Sequence, residues 1–134
     1  MANAMRLIGT TVLTIDDDQD SRTLMRTILR KAGAAVIEAA SGAEALEIIK
    51  FVRPDVVLCD LRMPGMDGYE VVEKIRALEP DLGTSVPVIA VTGFQRLQDY
   101  AEADGSSFDF FLVKPINPDE LIRAIADVLG KASD

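Results

Sequence analysis

An open, five-stranded parallel sheet with helices on both faces is the fold this sequence predicts. Three observations predict it. Short runs rich in β-branched residues alternate with segments whose apolar residues fall three and four apart. Three of the runs close on charged side chains: Asp16 and Asp17 after Thr11-Val12-Leu13-Thr14-Ile15, Asp60 after Val56-Val57-Leu58-Cys59, and Lys114 after Phe110-Phe111-Leu112-Val113. The connections are short, with no repeat or low-complexity tract. Strands alternating with helices imply a parallel sheet, and right-handed crossovers leave few ways to wind it.

The strand-like runs are Thr11–Ile15, Ala35–Glu38, Asp55–Cys59, Val86–Val91 and Phe108–Val113. The first helix-like segment carries Leu24, Ile28 and Leu29 and stops near Gly33, with Asp18 or Asp20 placed to cap it. The second opens on Ser41-Gly42-Ala43-Glu44, a capping box, and continues with Leu46, Ile49 and Val52. The third follows Gly68 with Val71, Val72, Ile75 and Leu78. The fourth, about Gln95–Ala103, has only Leu97, Tyr100 and Ala101 as its stripe, which predicts a mobile or partner-facing surface. The fifth opens on Asn117-Pro118-Asp119-Glu120, with a cap, a proline at the first helical position and an acid at the third. It then carries Leu121, Ile122, Ile125, Val128 and Leu129. Five β–α units of this kind predict a doubly wound (βα)5 sheet of flavodoxin-like type.

A length of 134 residues suits one domain, and 49% hydrophobic residues with 5% aromatics predict a largely aliphatic core. The expected organisation is a short lead (1–9), one domain (10–130) and a short tail (131–134), with no second domain. The net charge of −8 argues against nucleic acid and against anionic membrane surfaces, because both need a basic face. A single cysteine, Cys59, permits no internal disulfide, so a cytoplasmic location is expected and Cys59 is read as a small buried hydrophobe. The chain has no histidine. That excludes histidine acid–base catalysis, histidine metal ligation and phosphoryl donation from the chain's own imidazole.

In a doubly wound sheet the carboxyl ends of neighbouring strands meet at one edge, where ligands bind. Carboxylates gathered there repel one another unless a cation or proton joins them. Mg²⁺ is the natural resident, since it takes oxygen ligands and retains positions for water and phosphate. The arrangement points to phosphate chemistry on a carboxylate.

Four segments, Val12-Leu13-Thr14-Ile15-Asp16-Asp17-Asp18, Asp60-Leu61-Arg62-Met63-Pro64-Gly65-Met66-Asp67-Gly68, Val88-Ile89-Ala90-Val91-Thr92-Gly93 and Phe111-Leu112-Val113-Lys114-Pro115, resemble the signatures of response-regulator receiver domains, in order and on the expected elements. The resemblance implies the following roles. Asp60 is the phosphoacceptor. Asp17 holds Mg²⁺ directly, Asp16 mainly through water, and the backbone carbonyl of Arg62 completes the protein ligands with Asp60. Lys114 pairs with Asp60 or a phosphoryl oxygen, next to a cis bond to Pro115. Thr92 is the switch hydroxyl, and Phe111, three before Lys114, the switch aromatic. The implied function is that of a phosphorelay element. A histidine kinase or histidine phosphotransfer protein supplies the phosphoryl group, and an altered surface acts on a downstream protein target. Turnover of a separate substrate is not expected, only self-catalysed phosphotransfer and dephosphorylation. A phosphorylation-dependent homodimer is an option left open.

Three positions beside the motifs depart from common family choices. Arg62 is placed to reach a phosphoryl oxygen or the acidic pair, Phe94 to shade an acyl phosphate from water, and Ser106-Ser107 to alter the turn into the fifth strand. Three rivals remain. An aspartyl-phosphate phosphatase would want an acid where Arg62 stands. A phosphorylation-independent interaction module would have no need of clustered charge. A receiver segment of a hybrid histidine kinase would share all the chemistry.

Overall fold

The computed structural model describes residues 6–93 and 108–130. The helix-like stretch at 95–103, Phe94 and Ser106-Ser107 lie outside them. Five strands, β1 (Thr11–Ile15), β2 (Ala35–Ala39), β3 (Val56–Cys59), β4 (Val88–Thr92) and β5 (Phe110–Val113), alternate with four described helices, α1 (Gln19–Lys31), α2 (Gly42–Phe51), α3 (Gly68–Leu82) and α4 (Pro118–Val128). All strand pairs are parallel, and the sheet order is β2-β1-β3-β4-β5. This is the doubly wound sheet expected. The chain reverses its direction of travel across the sheet between β1 and β3, so the loops after those strands part and leave a crevice.

Two apolar clusters cover the sheet. Val12, Val56, Leu58, Ile89, Val91 and Leu112 pack with Met25, Ile28 and Leu29 of α1 and Leu121, Ile122 and Ile125 of α4. Leu13, Ile15, Val57, Cys59 and Val88 turn the other way, onto Ala45 and Ile49 of α2 and Val71, Val72 and Ile75 of α3. The central strand β3 is buried at every residue, as a strand covered on both faces must be.

The caps follow the sequence with adjustments. Asp18, not Asp20, caps α1. Ser41 caps α2 through the Glu44 N–H at 3.1 Å, but Glu44 returns its carboxylate to the N–H of Ala40 at 2.6 Å rather than to Ser41. Asn117 caps α4 by accepting from the Glu120 N–H at 3.0 Å.

Three expectations need correction. Leu24 is 48% exposed, while Met25 is buried. The buried arc of α1 runs through Met25, Ile28, Leu29 and Ala32, which leaves Leu24 on its flank. β4 starts at Val88 rather than Val86, because Pro87 has no N–H to offer the ladder. β5 starts at Phe110 rather than Phe108, whose ring meets Tyr69 edge-on at 5.8 Å.

Candidate functional site at the carboxyl ends of the strands

Each charged residue of the site leaves the sheet at its last rung. The Asp16 N–H donates to Ala39 O at 3.1 Å, the Asp60 N–H to Ile15 O at 2.9 Å, and the Lys114 N–H to Thr92 O at 2.8 Å. The backbone ladder thus delivers side chains from β1, β3 and β5 to one edge, with Thr92 of β4 beside them. The Lys114–Pro115 peptide bond is cis, as the resemblance implied.

Ligand oxygens of Asp16, Asp17 and Asp60 lie within 4.8 Å of one another. Asp16 and Asp60 are buried, and Asp17 is exposed. Asp16 accepts from the Asp18 N–H at 2.9 Å and Asp60 from the Arg62 N–H at 3.1 Å. The Lys114 ammonium donates to Asp16 at 2.8 Å and faces Asp60 at 3.5 Å. The sequence paired Lys114 with Asp60; here its shorter bond is to Asp16.

Burial pushes the Asp60 carboxyl above its ordinary pKa. The Arg62 N–H and Lys114 pull against that, and the Asp16 charge reinforces it. Burial disfavours the Lys114 charge, yet its bond to Asp16 and the attraction of Asp60 outweigh that, so its pKa is raised. The Ser21 hydroxyl, bonded at 3.0 Å, draws the Asp18 carboxyl down. Burial pushes the Cys59 thiol far up, which fits the structural role expected for it.

The donor set suits a hard divalent cation. Three carboxylates gather where one ammonium serves only Asp16 and Asp60, all the ligand atoms are oxygens, and exposed Asp17 keeps the cluster open to water. Asp16, Asp17 and Asp60 are the side chains that would hold Mg²⁺.

Gly68 sets the floor. A Cβ there would lie 2.8 Å from the Leu61 Cα and closer still to the Asp60 carbonyl oxygen. Its N–H donates to Leu61 O at 3.0 Å, and Asp67 caps α3 through the Glu70 N–H at 2.9 Å. The start of α3 therefore presses directly on the loop that carries Asp60.

Thr92 is buried at the end of β4 and pairs with Val113. Phe111 is half-buried, pairs with Ala90, and stacks at a tilt on Phe108 with centroids 5.7 Å apart. Arg62 engages Asp60 through its backbone, and its side chain is exposed. Two contributors escaped the sequence reading: Gly68 as a packing requirement, and Arg22, whose Nη1 donates to the Asp16 carbonyl at 2.6 Å. The spacing of an arginine six residues after the first acid was visible, but its target, a backbone oxygen, was not.

A model of the response regulator receiver domain matches residues 12–126. The chain belongs to the response-regulator receiver family. An uncharacterised 14.6 kDa protein from the sodA1 3′ region of Leptolyngbya boryana is 39% identical over 114 residues, covering 85% of this chain and 86% of that protein. A probable transcriptional regulator, ycf27, of Porphyridium aerugineum is also 39% identical, over 90% of this chain but 48% of its own length. Among solved structures, the chemotaxis protein CheY4 of Vibrio cholerae superposes with a TM-score of 0.81 at 31% identity, covering 89% of this receiver and 98% of that chain. The receiver domain of a Pseudomonas aeruginosa sensor histidine kinase, solved with a magnesium ion coordinated in its active-site cleft, gives 0.82 at 31%, covering 92% and 99%. This receiver is thus a signalling domain of two-component systems, whose partners are histidine kinases and downstream effectors, and not a member of an ordinary enzyme family. No helix among the described residues is long and apolar enough to cross a membrane.

Proposed function

We propose that this receiver accepts a phosphoryl group on Asp60 from a partner's phosphohistidine, with Mg²⁺ held by Asp16, Asp17, Asp60 and the Arg62 carbonyl. One observation carries the reading: buried Asp60 shares its edge with two further acids and a single ammonium. An Asp60 oxygen attacks phosphorus in line, the P–N bond breaks, and the departing imidazole keeps its electron pair and takes a proton. The metal, when bound, neutralises charge on the phosphoryl oxygens. Lys114 moves its ammonium from the Asp16–Asp60 pair to a phosphoryl oxygen.

Thr92 and Phe111 form the switch in this reading. The Thr92 hydroxyl turns toward the new phosphoryl group and Phe111 follows into the vacated space. The readout surface is the groove of about 460 Å³ between β5 and α4, bordered by Phe110, Phe111, Glu120, Arg123 and Asp127. A downstream protein reads that surface, in the cytoplasm. The receiver unit is taken as residues 10–130.

Intact mass after incubation with Mg²⁺ and acetyl phosphate tests this, for the native chain and Asp60→Asn. A single phosphoryl adduct that needs Mg²⁺ and is absent from the variant is expected. No adduct, together with no binding of beryllofluoride, would overturn it.

A further inference from the structure

The carbonyl of Asp16 lies just beyond the end of β1, and Arg22 satisfies it at 2.6 Å. Arg22 stands one turn into α1, where its N–H closes a helical bond on the Asp18 carbonyl at 3.1 Å. The capped turn therefore folds the guanidinium back over the peptide that joins the two acids. Glu38 of β2 holds it from the other side, with Nε–Oε1 at 3.5 Å, and takes Arg26 Nη1 at 2.6 Å as well. The Arg22 side chain is only 16% exposed.

The two acids differ in how they are aimed. Asp16 has anchors on its own carboxylate, the Asp18 N–H and Lys114. Asp17 is exposed, yet its carboxylate lies within 4.8 Å of the others. The peptide before it fixes where its side chain departs, and Arg22 holds that peptide.

We propose that Arg22 is a positioning residue for the metal site: by holding the Asp16 carbonyl it aims the Asp17 carboxylate and so sets the affinity for Mg²⁺. This rests on the reading of the acidic cluster as a Mg²⁺ site. Two other roles for Arg22 give different signs. Acting through charge alone, the guanidinium repels a cation, and its removal tightens binding. Acting only through its ion pair, its removal is matched by loss of Glu38.

Calorimetric titration of Mg²⁺ separates these cases, on the native chain, Arg22→Ala, Arg22→Gln, Arg22→Lys and Glu38→Gln, each checked for folding. Arg22→Ala and Arg22→Gln should weaken Mg²⁺ binding about 10- to 100-fold, the usual effect of removing a group that orients a metal ligand. Arg22→Lys should recover part of that loss, and Glu38→Gln should stay within about twofold of native. The glutamine variant reads the same loss if the alanine variant fails to fold. Binding as tight as native, or tighter, in either Arg22 variant overturns the proposal, as does an equal loss in Glu38→Gln. A native chain that binds no Mg²⁺ instead removes the functional reading beneath it, so the two failures are distinct.

Discussion

The sheet has a charged cluster at each end, and only one of them holds a carboxylate that its cation does not reach. At the amino ends of β4 and β5, Arg76 of α3 bonds Glu79 at 2.6 Å, Asp109 at 3.0 Å and the Val86 carbonyl at 2.5 Å. Glu79 also accepts from the Val86 N–H and Asp109 from the Val88 N–H, both at 2.8 Å. Two carboxylates there meet one guanidinium and two backbone donors, and the network closes on itself. At the carboxyl ends, the Lys114 ammonium and two backbone donors, from Asp18 and Arg62, all go to buried Asp16 and Asp60, and none of the three reaches the third carboxylate, exposed Asp17. Charge alone separates the clusters poorly. The third carboxylate separates them: Asp17 stands within 4.8 Å of two acids that already share one ammonium, and carboxylates gathered so want an outside cation.

The widest break in that comparison comes from Arg76→Ala. It takes the guanidinium from Glu79 and Asp109, leaving each its backbone donor, and removes the bond to the Val86 carbonyl. Loss of about 2 kcal/mol is expected, between the ~0.2–1 of an exposed pair and the ~3–5 of a broken buried one, because its side chains are partly exposed. Urea unfolding gives the number, and Mg²⁺ affinity should not change. Native stability in this variant would show that the amino-end network is ornamental.

Lys114→Met probes the other end. Its ammonium occupies the ground between Asp16 and Asp60 that a divalent cation would share. Its removal should tighten Mg²⁺ binding about tenfold, equivalent to ~1.4 kcal/mol, while the metal-free protein loses stability as Asp16 goes unpaired. Weaker Mg²⁺ binding would mean that Lys114 shapes the site rather than competing for it.

What the sequence made legible divides along the same line. Asp16, Asp60 and Lys114 announced themselves because each ends an apolar run, and parallel strands bring such ends to one edge. Asn117 and Ser41 were legible as caps because capping is local. The Arg76–Asp109 contact joins residues 33 apart, with no pattern linking them. Arg22 was equally hidden, since its partner is a carbonyl that every residue carries. The phase of α1, which buries Met25 and exposes Leu24, needed the position of the sheet, because both fit an apolar stripe. Local chemistry and strand periodicity could be read, whereas side-chain bonds to distant backbone could not.

The smallest expected effect is a pair of opposite pH slopes. Burial works to raise the Glu79 carboxyl, but the Val86 N–H and Arg76 outweigh it, so its pKa lies below the ordinary 4.5. Between that lowered value and 4.5 the unfolded chain binds more protons, and stability rises with pH. Glu79 therefore contributes stability above 4.5 that is lost as acid protonates the folded form. Asp60 is raised above 3.8 by burial, so from 3.8 up to its folded pKa the folded chain binds more protons and stability falls with pH. In metal-free protein, Glu79→Gln should flatten the rising limb and Asp60→Asn the falling one, measured by urea midpoints across acid pH. Saturating Mg²⁺ should turn the Asp60 limb upward, because a bound cation keeps that carboxylate charged in the folded state alone, and should leave the Glu79 limb where it was. A falling limb untouched by Mg²⁺ would mean that the carboxyl-end acids do not bind the metal, and the difference between the two ends of the sheet would then be one of solvation only.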